Sequence, residues 1–241
     1  MNLSLLRRGL GRLAVPRLVR VQAAYTTGRP DLEILDHALA KVDSLGWTRA
    51  AVSSAASDLG YSSMAHGVAP HGGISLVGHF MDRALDDTCI EADDQLHELA
   101  TPADKLRLLC RIRLRQTLPY VRRWPEAAAL LAQPQNVAGA LERLAELSSR
   151  MWYLAGDQST RIDWYTRRSA LAAAYVASEL YMCEDRSPEH ADTWRFLDER
   201  IADINSAERA GAKAVAFGSQ FSRNLFNILQ SQGVISKERR G

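Results

Sequence analysis

Apolar residues in this chain recur every three or four positions and almost never every second position. That period belongs to the α-helix and excludes a sheet whose strands show one face to water. "DLEILDHALAKVDSLGW" places Ile34, Leu35, Ala38, Leu39 and Val42 on one face, and Gly46 can end the helix. Thr48 is positioned to cap "RAAVSSAASDLG", which stops at Gly60, and Ser62 or Ser63 starts a short third helix. A longer helix runs from about Ile74 into "FMDRALDDTCIEADDQLHEL". "TPADKLRLLCRIRLRQTLPYVRRW" opens with Thr101 as cap and Pro102 in the first turn. "PEAAALLAQ" and "NVAGALERLAELSSRMWYLAG" follow, separated by Pro134. "DWYTRRSALAAAYVASELYMCED" comes next, then "SPEHADTWRFLDERIADINSA" with Ser187 and Pro188 as its start signal. "ERAGAKAVAFGSQFSRNLFNILQSQG" closes the series before a polar tail. The expected fold class is all-α, without internal repeats.

The first 29 residues stand apart, with six arginines and no acid. Leu3, Leu6, Leu10 and Leu13 share a helical face opposite Arg8 and Arg12, the pattern of a mitochondrial transit peptide. The full chain carries 30 basic and 28 acidic residues, net +2; without those six arginines, 24 face 28, net −4. The remainder therefore has no global attraction for nucleic acid. No uncharged apolar run reaches about 18 residues, so no spanning helix is expected. Cys89, Cys110 and Cys183 are odd in number, widely spaced and outside any metal or redox motif. They read as reduced thiols, in keeping with a matrix protein.

Catalytic motifs are missing. The chain has no glycine-rich loop followed by Lys-Ser/Thr, no G-x-G-x-x-G, no G-x-S-x-G and no His-Glu-x-x-His. Asp94-x-x-His97 is the nearest approach to a di-iron repeat, which needs two Glu-x-x-His. Asp86, Asp87, Glu91, Asp93, Asp94 and Glu98 read as a solvated acidic face. The three short N-terminal helices resemble those of TetR-type regulators, yet residues 31–80 carry net charge −3. The would-be recognition segment "SSMAHGVAPHGG" has no arginine, lysine, asparagine or glutamine. Without phosphate neutralisation the main source of DNA affinity is lost. The run Lys105, Arg107, Arg111, Arg113, Arg115, Arg122 and Arg123 is either a solvated helix face or a surface for anionic headgroups.

Two stretches leave open readings. Ala214, Phe217, Phe221, Leu225 and Ile228 follow helical spacing, flanked by Phe226 and Leu229. Such a helix packs on its own core or lies in a membrane interface. "GDQSTRIDWYTRR" puts Trp164 and Tyr165 at a polar helix start, with Asp163 as the expected cap. The rings are either the top of a core stripe or an interface hot spot. Met151, Trp152 and Tyr153 lie just upstream and could extend such a patch.

"LPYVRRWPEA" (118–127), "MWYLAGDQST" (151–160), "DWYTRRSALAAAYVASELYM" (163–182) and "DTWRFLDERI" (192–201) resemble the mitochondrial accessory protein family of ubiquinone (coenzyme Q) biosynthesis. The resemblance spans about residues 31–229. It implies a TetR-family-like helical fold that has lost DNA binding. The chain then divides into a transit peptide (1–29), a degenerate helix-turn-helix subdomain with its connecting helix (30–99), a lipid-binding bundle (100–205), and an amphipathic membrane helix with a polar tail (206–241). It also implies a non-catalytic protein on the matrix side of the inner membrane. This protein would have no cofactor, a bound lipid or isoprenoid quinone intermediate as ligand, and a homodimeric state. Its partners would be the di-iron demethoxyubiquinone hydroxylase, the ubiquinone biosynthesis complex and inner-membrane phospholipid, without nucleic acid.

By the same resemblance, Trp164 and Tyr165 bind the partner, and Arg167 and Arg168 match the motif's arginines; Met151, just upstream, is expected to join that surface. The resemblance places the lipid site among the C-terminal helices, and Leu109, Ile112, Trp152, Leu171 and Tyr175 are the candidates to line it. Phe217, Phe221, Leu225, Phe226, Ile228 and Leu229 enter the membrane. Two departures bear on partner and regulation. The long acidic linker of some relatives is missing, and Arg161 and Asp163 occupy variable positions of the motif. The alternative is a TetR-type ligand-responsive transcription regulator.

Overall fold

A computed structural model describes residues 29–62, 65–157 and 162–210. Among these residues the chain forms nine α-helices and no strand, as the apolar period requires. They are α1 (Pro30–Leu39), α2 (Val42–Leu45), α3 (Arg49–Asp58), α4 (Gly73–Leu96), α5 (Pro102–Thr117), α6 (Trp124–Leu131), α7 (Val137–Leu154), α8 (Ile162–Glu184) and α9 (Ala191–Ala210). Among the described residues, no helix is long and apolar enough to cross a membrane.

The caps explain most of the boundaries. The Thr48 hydroxyl accepts the Ala51 N–H at the start of α3, and Thr101 accepts the Asp104 N–H at the start of α5. Gly46 ends α2 at φ +68°, a conformation that L side chains rarely adopt. One expected element takes another form: in place of a third helix there is a short 3-10 turn, Ala65–Val68, while Ser63 lies outside the described residues. Gly67, Pro70 and the paired Gly72 and Gly73 deny that segment the length of a groove-reading rod.

The helices enclose two apolar clusters. The first gathers α1, α3 and the first half of α4 around Trp47, Phe80 and Trp124. Its rings meet edge-on, with Trp47–Trp124 centroids at 5.7 Å and Phe80–Trp124 at 5.3 Å. The second joins the end of α4 with α5, α7, α8 and α9 through Leu106, Leu109, Met151, Trp152, Leu171 and Leu197. Helix α4 serves both, giving Leu76, Val77 and Phe80 to one and Leu85, Ala92 and Leu96 to the other.

Candidate functional site

The junction between α7 and α8 is built from a helix stop. Gly156 adopts φ +86°; its N–H donates to the Tyr153 carbonyl at 3.0 Å and the Asp157 N–H to the Trp152 carbonyl at 3.0 Å. That pair of bonds is a Schellman stop, with glycine at the left-handed position. It directs Asp157 inward. The Asp157 side chain is fully buried and receives Arg167 Nη1 at 2.7 Å and Arg168 Nη1 at 3.1 Å. The Arg168 guanidinium lies 4.0 Å from the centroid of the Trp164 ring, and Trp164 meets Tyr165 edge-on at 4.7 Å. Trp152 donates its indole N–H to the Arg167 carbonyl at 3.0 Å.

The first turn of α8 therefore displays an aromatic pair. Trp164 is half-buried and Tyr165 is 69% exposed. Helix α8 starts at Ile162, so Asp163 falls within its first turn rather than at its cap. Arg167 and Arg168, expected at the contact surface, point towards Asp157, with side chains 30% and 11% exposed. Of the upstream trio only Tyr153 reaches the surface, at 78% exposure. Met151 is 1% exposed and its sulfur accepts from the Cys110 thiol at 3.7 Å. Its side chain belongs to the core and does not extend the patch, because it shares the α7 face of Leu147, Ser148 and Trp152.

Leu109, Ile112, Trp152, Leu171 and Tyr175 do come together, all buried in the second cluster. Sequence reading missed the polar group beside them. Arg113 is buried, with its guanidinium 5.1 Å from the Phe80 centroid and 5.9 Å from that of Tyr175. Tyr175 donates its hydroxyl proton to Glu179 at 2.9 Å. Burial pushes the Glu179 carboxyl up, and the Arg113 charge and the Tyr175 hydroxyl offset this only in part. Burial likewise drives the Tyr175 phenol well above its ordinary value. Arg113 also lines a small cleft of about 40 Å³ with Met81, Leu85 and Leu147, where Asp82, Arg143 and Glu146 supply charged walls, room enough for water.

The basic run divides. Arg113 is internal, Arg107 and Arg111 pair with Asp198 on α9, and Arg123 pairs with Glu126. On the acidic face, Asp86 pairs with Arg150 and Asp87 with Arg83. Among the described residues no group of three or more His, Cys, Asp or Glu is placed to hold a metal ion. Residues 1–28 of the expected transit peptide (1–29) and Phe217, Phe221, Leu225, Phe226, Ile228 and Leu229 lie outside the described residues.

The COQ9 family model matches residues 137–208, which hold α7, the Asp157 junction, α8 and most of α9. The chain is 41% identical over 197 residues to the mitochondrial ubiquinone biosynthesis protein COQ9 of Drosophila melanogaster, covering 80% of this chain and 60% of that protein. It is 40% identical over 199 residues to the Rattus norvegicus protein, covering 80% and 64%. With the COQ9-B protein of Xenopus laevis it shares 38% identity over 199 residues, covering 80% of this chain and 68% of that one. The chain belongs to the COQ9 family. It spans about 60% of the length of the Drosophila relative. The COQ9 match encloses the whole aromatic display, together with Trp152, Leu171, Tyr175 and Glu179.

Proposed function

We propose that this chain is a non-catalytic, lipid-binding accessory protein of ubiquinone biosynthesis in the mitochondrion. It binds an isoprenoid quinone intermediate at the matrix face of the inner membrane and presents it to the di-iron demethoxyubiquinone hydroxylase. The relatives' names support the pathway and the compartment. The observation that carries the partner surface is the exposed Tyr165 ring, set edge-on against a Trp164 ring that the Arg168 guanidinium backs. Tyrosine and tryptophan give large contact area at small ordering cost, and such pairs dominate interface energies.

The lipid tail enters the second cluster among Leu109, Ile112, Trp152, Leu171 and Tyr175. These side chains touch one another in the described structure, so the tail separates α8 from α5 or α7 as it enters. The stripe at Phe217, Phe221, Leu225, Phe226, Ile228 and Leu229 docks on inner-membrane phospholipid. A TetR-like helical arrangement and a homodimer belong to the same reading, and no acid–base or nucleophilic residue is assigned.

Calorimetric titration of the chain with the hydroxylase tests the surface. Tyr165→Ala weakens binding by about 1–3 kcal/mol, roughly 5- to 150-fold, at unchanged thermal stability. Undiminished binding in both Tyr165→Ala and Trp164→Ala overturns the assignment.

A further inference from the structure

The geometry points to Asp157 as the positioning residue of the aromatic display, and to an apolar, ring-accepting partner surface rather than an acidic one. This rests on the partner-binding reading of Trp164 and Tyr165 proposed above. Two arginines beside two rings would ordinarily be assigned to a partner's carboxylates. Here both turn inward to one buried carboxylate: Oδ1 accepts from Arg167 and Oδ2 from Arg168. Arg168 then does three things with one planar group. It pairs with Asp157, donates to the Trp164 carbonyl at 3.3 Å, and lies against the Trp164 ring. Its Nε is buried with no hydrogen-bond partner. That cost is accepted for an orientation set by the carboxylate and the ring.

Arg167 closes the other side. Its guanidinium stands 5.6 Å from the Trp152 centroid while its carbonyl takes the Trp152 indole proton. A continuous path of contacts therefore runs from the buried Trp152 through Arg167, Asp157 and Arg168 to Trp164, and on to the exposed Tyr165. A charge held by a buried counter-ion is expensive to withdraw, so the arginines stay in the clamp when a partner docks. What the clamp leaves for the partner is ring surface.

Asp157→Asn keeps the shape and removes the charge. Three readouts decide the matter. Hydrogen exchange follows α8 amides 166–170, with those of α5 and α9 as internal controls. The ¹⁹F spectrum of 5-fluorotryptophan protein reports the Trp164 ring, its signal assigned with Trp164→Phe. Titration with the hydroxylase reports docking. The clamp predicts at least about tenfold faster exchange at 166–170 alone, a shifted and broadened Trp164 signal, and an affinity loss comparable with that of Tyr165→Ala.

Arg168→Lys keeps the charge but loses the planar stack, so it should reproduce the shifted Trp164 signal; it also replaces Asp157→Asn should that variant not fold. An unchanged Trp164 signal and unchanged exchange overturn the assignment. So does altered exchange with full affinity while Tyr165→Ala still weakens binding. If Tyr165→Ala itself binds fully, the partner reading has failed, and the exchange and fluorine data alone decide whether Asp157 fixes the rings.

Discussion

Arg113→Met removes a guanidinium that is 1% exposed and lies between Phe80 of one apolar cluster and Tyr175 of the other. Methionine is apolar and of comparable length, so packing is largely kept and the cost is electrostatic. Two ring contacts are worth about 0.5–2 kcal/mol each in a desolvated setting. Arg113 also supplies the positive charge that favours ionised Glu179, and leaving a buried charge without it costs about 3–5 kcal/mol when that charge cannot neutralise. Glu179 can neutralise. Burial already holds its carboxyl up, and loss of Arg113 raises it further. Protonation then limits the penalty at about 1.4 kcal/mol for each pH unit between solution and that raised value.

Because the folded-state value exceeds the unfolded one, Glu179 favours the fold below the ordinary carboxylate range and opposes it as pH rises through the folded value. The expected loss in Arg113→Met is therefore about 3 kcal/mol near neutral pH and becomes smaller as pH falls towards the ordinary carboxylate range. Adding Glu179→Gln should recover more than half of it, since the glutamine still accepts from Tyr175. Urea unfolding followed by circular dichroism at neutral and at acidic pH compares both variants with the unsubstituted protein. A pH-independent loss, or a double variant less stable than Arg113→Met, refutes the reasoning.

Asp185 accepts the Ser187 N–H and the Thr193 N–H, each at 2.8 Å, together with the Thr193 hydroxyl, at the start of α9. Burial pushes this carboxyl up, but the hydrogen bonds from Thr193 and Ser187 outweigh it and hold it well below the usual range. Asp185→Asn should cost about 1–2 kcal/mol at neutral pH. A depressed value stabilises fully above the unfolded carboxylate value of about 4 and the contribution is lost progressively as pH falls from there through the folded value, so the acid denaturation curves of the two proteins should draw together only as pH drops well below about 4. Gly73 is a packing glycine: a Cβ there would stand 1.9 Å from the Trp47 carbonyl oxygen. Gly73→Ala should lower stability by about 2 kcal/mol or more in thermal melts, whereas Gly139→Ala, whose nearest neighbour is the flexible Arg143 end at 3.7 Å, should raise it by about 0.5–1 kcal/mol.

Much of the helical scaffold was legible because its stops and caps are local chemistry. Thr48, Thr101 and Gly46 act through bonds within four residues of themselves, and Pro102 through its own fixed backbone angle. Ser187 works at slightly longer reach, its hydroxyl accepting the Asp192 N–H at 3.0 Å. The aromatic pair was legible for a similar reason, since large rings at a polar helix start leave few places to go.

What escaped the sequence reading was the phase of charged residues. Leu106, Leu109, Cys110, Arg113 and Thr117 form one buried stripe at three- and four-residue spacing, yet Arg113 reads as surface because of its charge. Met151 carries the converse error: nearness in sequence to Tyr153 suggests a shared patch, while a 100° step per residue turns it to the core. Asp157 gave a signal only in combination, an acid directly after the helix-stopping Gly156 and 10 and 11 residues ahead of two arginines. Its partners are set by how α7 and α8 pack, which no local pattern encodes.

The central claim is that the chain carries lipid for presentation to the hydroxylase. Native mass spectrometry with lipid extraction tests it most directly, on the chain intact and truncated after Asn205. The account predicts co-purifying isoprenoid quinones or phospholipids with the intact chain, and loss of vesicle pelleting in the truncated one. Protein free of lipid in both forms would contradict it.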